Sequence, residues 1–239
     1  MNVHQENSPI PISEDLNWWW YRAKSNLLND ILKNYSKYKF NKILEIGPGK
    51  GNNIKILNQY GDVDVLDKEN FFLEYLKKNY PLDISAYYSD LNEINKKYDL
   101  IILLDVLEHI KDDKKFMNTL ANYLNPKGIV IVGVPAYRFL WSVHDEKLEH
   151  FRRYTWKSLT STFTNYKIVK RFGFNYLLLP IRYFQVKFSK TIHSVEESSR
   201  LVNKVLFFIS LIERALRRLK FNPKFGISIY AVLKIKTTI

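Results

Sequence analysis

Cysteine is absent from this chain. That excludes disulfides, Cys-based zinc or iron–sulfur sites, and chemistry that begins with a cysteine nucleophile or a Cys-ligated radical cluster. Long apolar runs are also missing. The longest charge-free runs near the C-terminus, Phe172–Ile181 and Val205–Ile212, are 10 and 8 residues, well below the roughly 20 needed to span a bilayer as a helix. The opening stretch MNVHQENSPIPISEDLN lacks a basic region followed by an apolar run, so no secretory signal is visible and the expectation is a cytoplasmic protein. Acid is scarce toward the C-terminus. Residues 150–239 hold 18 Lys+Arg against 3 Asp+Glu, whereas residues 1–149 hold 19 against 21. The formal charge of +13 therefore belongs to the C-terminal part. Such asymmetry points to an anionic partner: lipid head groups, a phosphorylated substrate or nucleic acid. Solvated spare lysines in a composition rich in Lys, Asn, Ile and Tyr explain the same numbers.

Against these absences stands a regular alternation of short apolar runs and helical patterns from Phe40 onward, the signature of a doubly wound sheet. Candidate strands are Lys42–Ile46, Val63–Leu66, Ile84–Tyr88, Leu100–Leu104, Ile129–Val134, Lys167–Phe172 and Ile227–Lys234. Candidate helices are Asn52–Gln59, Glu69–Lys78, Asp113–Tyr123 and Trp156–Phe163, the last with Thr155 as N-cap. Asn125-Pro126-Lys127-Gly128 reads as a turn. About fifty residues separate the last two strands and read as helical. Within them Leu201, Val205, Phe208, Ile212, Ala215, Leu216 and Leu219 recur at helical spacing, with Lys204, Arg214, Arg217 and Arg218 mostly off that stripe.

Glycine is sparse, 8 residues, yet three stand in the heptapeptide Glu45-Ile46-Gly47-Pro48-Gly49-Lys50-Gly51. It lies between the first candidate strand and the first candidate helix. A glycine turn there lets the backbone approach a ligand and aims free N–H groups at it. A dinucleotide site would place its third glycine at position 52, which is Asn. An acid followed by G-x-G-x-G instead resembles the first motif of the class I S-adenosylmethionine (SAM)-dependent methyltransferases. Asp67 ends the second strand, 22 residues after Glu45, where an acid can accept hydrogen bonds from both ribose hydroxyls of an adenosyl group. Tyr88-Ser89-Asp90-Leu91 follows the third strand. Leu104-Asp105-Val106-Leu107-Glu108-His109-Ile110 follows the fourth. Tyr123-Leu124-Asn125-Pro126-Lys127-Gly128-Ile129 opens the fifth.

All four resemble that family's motifs in order, at the strand ends where open α/β sheets bind ligands. The resemblance implies a Rossmann-like α/β fold: a seven-stranded, mostly parallel sheet with helices on both faces. It implies SAM as cofactor, S-adenosylhomocysteine as product, and a cofactor set of Tyr21, Arg22, Glu45, Gly47, Pro48, Gly49, Gly51, Asp67, Lys68, Asp90, Leu91, Asp105, Val106, Leu107 and His109. Trp18-Trp19-Trp20-Tyr21-Arg22 is similar to an N-terminal aromatic-plus-arginine segment of a bacterial subgroup, in which a helix covers the cofactor cleft. Three adjacent tryptophans cannot share one helix face, so they are not all expected to serve a core. The segment Trp141…His144-Asp145…His150-Phe151-Arg152-Arg153-Tyr154-Thr155 is similar to the same subgroup, whose members resemble enzymes encoded near surface-polysaccharide and lipid-linked sugar genes. It lies where an acceptor should enter. His144 or His150 would serve as general base and Arg153 as anion anchor. The alternative is that Arg152, Arg153 and Tyr154 only brace a loop. A metal set of His144, Asp145 and His150 is the weaker reading, and no metal is assigned.

The expected organisation is an N-terminal helical cap over residues 1–39, a cofactor-binding core over 40–174, a basic helical insertion over 175–225, and the last strand and tail over 226–239. The expected function is methyl transfer by in-line displacement to a small-molecule or lipid-linked, saccharide-type acceptor, with peripheral contact at the anionic inner face of the membrane. RNA methylation and non-catalytic SAM binding are the alternatives. Amino-directed DNA methylation is disfavoured, because Asp105-Val106-Leu107-Glu108 is not the Pro-Pro-aromatic tetrapeptide that holds a flipped base.

Overall fold

A computed structural model describes residues 18–35, 40–188 and 199–236. The parts of the expected cap over 1–17 and 36–39, of the insertion over 189–198 and of the tail over 237–239 lie outside the described residues.

Seven strands form one sheet: β1 (Lys42–Ile46), β2 (Asp62–Leu66), β3 (Ala86–Tyr88), β4 (Tyr98–Leu104), β5 (Leu124–Pro135), β6 (Tyr166–Phe174) and β7 (Ser228–Ile235). Their order is β3-β2-β1-β4-β5-β7-β6. The first five are parallel, and β7 runs antiparallel between β5 and β6. The chain adopts the expected Rossmann-like α/β fold, and its last two strands form an antiparallel pair. Strand period decides the two faces. On β4, Leu100, Ile102 and Leu104 enter one apolar core, while Ile101 and Leu103 enter the other. Because both faces are covered, the central strands read as unbroken apolar runs.

The helices are α1 (Trp19–Tyr35), α2 (Ile54–Leu57), α3 (Asn70–Asn79), α4 (Asp113–Leu120), α5 (Val143–Lys147), α6 (Trp156–Ser161), α7 (Leu179–Phe188) and α8 (Arg200–Arg218). On α1, Trp19, Ala23, Leu27 and Ile31 recur every fourth residue and are buried in the first core. Trp18 and Trp20 pack against that core too, which overturns the expectation that the three tryptophans divide their roles. Trp18 precedes the helix and is freed from its geometry. The rings meet edge to face, Trp18–Trp19 at 6.0 Å and Trp19–Trp20 at 5.4 Å, so a cluster replaces a single stripe.

Three local readings change. The helix expected over Asn52–Gln59 shrinks to Ile54–Leu57, because its start is still turning around Gly51, whose N–H bonds to the Pro48 carbonyl at 2.9 Å. Asn125–Gly128 is an irregular excursion inside β5 instead of a turn before it. Its neighbour β4 steps from Tyr98 to Leu100 while β5 steps from Leu124 to Ile129. Thr155 does cap α6, in a capping box with Ser158, but the helix stops at Ser161 instead of Phe163.

Candidate active site

The C-terminal ends of β1 to β4 open into a cleft of about 630 Å³. Its walls include Gly47 and Gly49 after β1, Asp67 and Lys68 after β2, Asp90 and Leu91 after β3, and Asp105, Val106 and His109 after β4. Strand order reverses between β1 and β4, so this is the switch-point crevice where such sheets bind ligands.

The glycine turn explains itself by geometry. Gly47, Gly49 and Gly51 have φ of +66°, +54° and +81°, values that L side chains resist. They face different ways. A Cβ on Gly49 would meet nothing within 4 Å, whereas one on Gly51 would lie 2.7 Å from Leu76 and 2.9 Å from Tyr80. Gly49 thus fronts the cleft and Gly51 the core. Pro48 and Leu107 are not part of the wall. Pro48 shapes the turn through its carbonyl, and buried Leu107 accepts a 3.0 Å hydrogen bond from the Tyr154 hydroxyl.

The acids sit in distinct surroundings. Burial raises the Asp67 carboxyl above its ordinary value, against hydrogen bonds from the Glu69 and Gly49 N–H groups; the Glu69 bond is 3.0 Å. Asp90 caps a 3₁₀ turn by accepting from the Asn92 N–H at 2.7 Å. Asp105 has φ +56° and is ion-paired with Lys24 of α1. Glu45 is buried behind the turn and outside the cleft wall. It accepts from the Asn53 amide at 2.7 Å, and burial pushes its carboxyl up to about 7.

The N-terminal helix reaches the cleft, but not through the residues expected to close it. Arg22 lies 3.7 Å over the Phe207 ring on α8, and Tyr21 packs edge to face on Trp18 at 5.6 Å; neither lines the cleft. Lys24, missed in the sequence, makes the connection through Asp105. Glu108 was missed as well. It is fully buried, and neither carboxylate oxygen has a hydrogen-bond partner among the described residues. Burial, and then the charge of Asp105, push it well above the usual carboxylate range.

Next to this lies the segment expected on the acceptor side. Asp145 is completely buried. It accepts from Arg153 Nε at 2.7 Å and Nη2 at 3.0 Å, from the Ser142 N–H at 2.9 Å, and faces His150 Nδ1 at 3.0 Å. Burial opposes its ionisation, but the bonds from His150 and Arg153 and the charge of Arg153 outweigh it and hold the carboxyl well below its usual range. Arg153 is spent on this contact and on the Ala136 carbonyl at 3.3 Å, so its fork is a brace and not an open anion anchor. Arg152 pairs with Asp113 at 2.7 Å. The expected alternative, a braced loop, describes Arg152, Arg153 and Tyr154. His144 stands on the exposed side of α5, outside the cleft wall. The His150 ring lies 4.5 Å from that of His109, edge to face. His109 borders the cleft, and burial, then the charge of His150, lower it to about 4. Glu108, His109 and His150 each bring a ligand-capable atom within 4.8 Å of the others, a set that could hold a divalent cation. It differs from the set considered in the sequence, where Asp145 is already engaged by Arg153.

Residues 18–179, more than half of the chain, match the family described as a methyltransferase domain. The chain belongs to that family. It is 29% identical over 113 residues to a ubiquinone biosynthesis O-methyltransferase from Rickettsia canadensis, covering 44% of this chain and 48% of that protein. A protein of the same name from Rickettsia prowazekii is 27% identical over 135 residues, 48% of this chain and 53% of that protein. The chain thus spans about half the length of the curated relatives it matches. Among solved structures, a plantazolicin methyltransferase in complex with a triazolic desmethylPZN analog and S-adenosylhomocysteine superposes with a TM-score of 0.59 at 16% identity, over 89% of this chain and 85% of that one. A SAM-dependent methyltransferase from Clostridium acetobutylicum superposes with 0.53 at 14%, over 92% of each chain. At those identities the likeness is one of fold.

Proposed function

We propose that this family member binds SAM in the cleft and moves its methyl group to an oxygen of a small or lipid-linked acceptor. The observation that carries the reading is the convergence of four strand ends on one cleft. Each end supplies a group suited to part of an adenosyl-methionine: open backbone at Gly49, a buried acceptor at Asp67, Asp90 with Leu91 at the outer rim, and Asp105 at the inner end. The residues present fit the cofactor. The void beside Gly49 admits a ligand against the backbone, and Asp67 already points its carboxylate at the turn through the Gly49 N–H.

SAM supplies a methyl group on a sulfonium leaving group, so the protein's tasks are placement, exclusion of water and, for a hydroxyl acceptor, removal of a proton. Asp67 and the glycine turn hold the nucleoside end. Lys24, paired to Asp105, ties α1 over the inner end. His150 is the proposed general base. Asp145 faces its Nδ1 at 3.0 Å, which leaves Nε2 to take a proton; His150 does not itself line the cleft, and its link to it is the 4.5 Å ring contact with His109, which does. Arg153 positions Asp145. The name of the Rickettsia relatives supports an oxygen acceptor and a lipid-like one. A lipid-linked saccharide fits the resemblance of the His144–Thr155 segment, and a lipid acceptor fits peripheral contact with an anionic membrane.

Titration calorimetry with S-adenosylhomocysteine, followed by transfer of labelled methyl from SAM into a lipid extract and into a soluble metabolite extract, tests this. Micromolar product binding with label in either extract is the expected result. Absence of product binding by folded protein refutes it.

A further inference from the structure

Helix α8 is apolar on two sides, one packed on the core and one open to water. Its inward side is mixed: Ser210 and Glu213 are buried, and Leu206, Phe207 and Ile209 pack half-buried against the first core. Glu213 accepts from the Asn175 N–H at 2.8 Å and from Arg217 at 2.8 Å. Arg214 forks onto Asp30 of α1 at 2.6 and 2.8 Å, and Asn203 accepts from the Trp19 N–H at 2.7 Å. The opposite side is apolar and open: Leu201 is 71% exposed, Phe208 62% and Leu219 78%, with Val205 and Ile212 between them also exposed. Among the described residues, the exposed part of the stripe legible in the sequence is neither core nor a packing seam. At 1.5 Å per residue it runs for roughly 28 Å. A surface of this kind on a single chain marks an interaction site.

Charge selects the occupant. The one acid among the described residues of 175–225 is Glu213, which is buried and paired. Exposed cations Arg200, Lys204 and Arg218 flank the apolar stripe, and Lys220 follows it. Apolar face, cationic margin and no exposed acid is the composition of a helix that lies in the plane of an anionic bilayer surface. No helix among the described residues is long and apolar enough to cross a membrane, so the contact would be peripheral. Helix α7 adds exposed Ile181, Phe184 and Phe188. It also touches the acceptor segment: Tyr183 meets Phe139 at 5.8 Å, and Arg182 donates to the Ser142 hydroxyl at 2.9 Å.

We infer that the outer face of α8 docks the protein on an anionic lipid surface. The inference deepens the membrane-contact part of the proposed function. Its test reads binding to lipid and not methyl transfer, so either can fail alone.

The experiment is co-sedimentation of the full chain with phosphatidylcholine vesicles, with and without phosphatidylglycerol, in low salt and in about 0.5 M salt. The expected result is retention on anionic vesicles at low salt, with release from them at high salt and little retention on neutral ones. Phe208→Asp with Ile212→Asp should reduce partitioning at least tenfold. Lys204→Glu with Arg200→Glu should reduce it by about tenfold or more. These side chains are exposed, so thermal unfolding should be unchanged and will show that the variants fold. Equal retention on both vesicle types overturns the inference. So does a dimer in light scattering that Phe208→Asp dissociates while vesicle binding stays absent, because the stripe would then be a seam between two copies.

Discussion

Gly49 and Gly51 belong to one turn, and alanine at each should fail in a different way. Both have positive φ, so either alanine carries about 1–2 kcal/mol of left-handed strain. For Gly49→Ala that is the main structural cost, since its Cβ meets nothing within 4 Å. In a chain of this size each kcal/mol lowers the melting temperature by about 2–4 °C, so a fall of roughly 2–8 °C is expected. The new methyl projects into the cleft at the point of closest ligand approach. Losing one backbone contact to a charged or polar ligand group costs about 1.5–3 kcal/mol, so S-adenosylhomocysteine should bind at least about tenfold more weakly. Gly51→Ala adds a clash with Leu76 at 2.7 Å and Tyr80 at 2.9 Å. Overpacking contributes a further 1–3 kcal/mol or so, for a fall of about 4–20 °C. Measured well below its own transition, that variant should keep product affinity within about threefold, since its methyl points away from the ligand. Calorimetric unfolding and product titration on both proteins give the four numbers needed. If Gly49→Ala binds product like the parent while folded Gly51→Ala does not, the turn is facing the wrong way in this account.

Three other outcomes follow. Asp67→Asn keeps one oxygen acceptor but loses the charge, so product affinity should fall about tenfold or more by calorimetry; an unchanged constant in folded protein removes Asp67 from the nucleoside site. His150→Ala should slow turnover by about a hundredfold or more, with product affinity intact; loss of product binding would place His150 on the cofactor side. For Glu45, the folded pKa of about 7 lies above the ordinary carboxylate value of 4.5, so the native state binds the extra proton between them. Stability from this group is fully present below about 4.5 and is lost as pH rises toward 7. Urea unfolding of the ligand-free protein should show Glu45→Gln gaining on the parent by about 3 kcal/mol above pH 7. Parallel pH curves for the two proteins would contradict this.

What could be read in the sequence was local. The glycine spacing, the acid at the end of β2 and the Asp105-to-His109 segment after β4 each depend on a strand and the few residues beyond it, and one sheet edge gathers them. Pairings across the chain carry no such mark. Lys24 meets Asp105 across 81 positions, and nothing in its neighbours distinguishes it from the other lysines. Arg22 belongs to a segment whose resemblance implies closure over the cofactor, yet its guanidinium finds the Phe207 face on α8. The stripe on α8 shows the limit most clearly. Periodicity reveals that a helix has two faces but not which one its own fold uses. Here Asp30 on α1 and the backbone N–H groups of Asn175 and Leu177 offered partners to Arg214 and Glu213, Leu206, Phe207 and Ile209 took the core contacts, and the Leu201-to-Leu219 stripe was left outside.

The buried acids divide along the same line. Asp145 and Glu213 are each met by a guanidinium and by backbone N–H groups; these bonds outweigh burial at Asp145 but not at Glu213, whose carboxyl burial still raises, and the two serve as braces, one under the acceptor segment and one under α8. Glu45 and Glu108 are not compensated in this way. One oxygen of Glu45 and both of Glu108 lack hydrogen-bond partners among the described residues, and burial raises both carboxyls. A buried polar group without a partner costs about 1–3 kcal/mol, and a fold maintained for stability alone would replace it with an apolar side chain. Both uncompensated acids flank the turn and the post-β4 segment that wall the cleft, while the compensated ones lie on elements that hold other elements in place. Two costly acids thus sit directly behind the segments that wall the cleft, where strain in a folded chain is expected when the site it serves is a binding site.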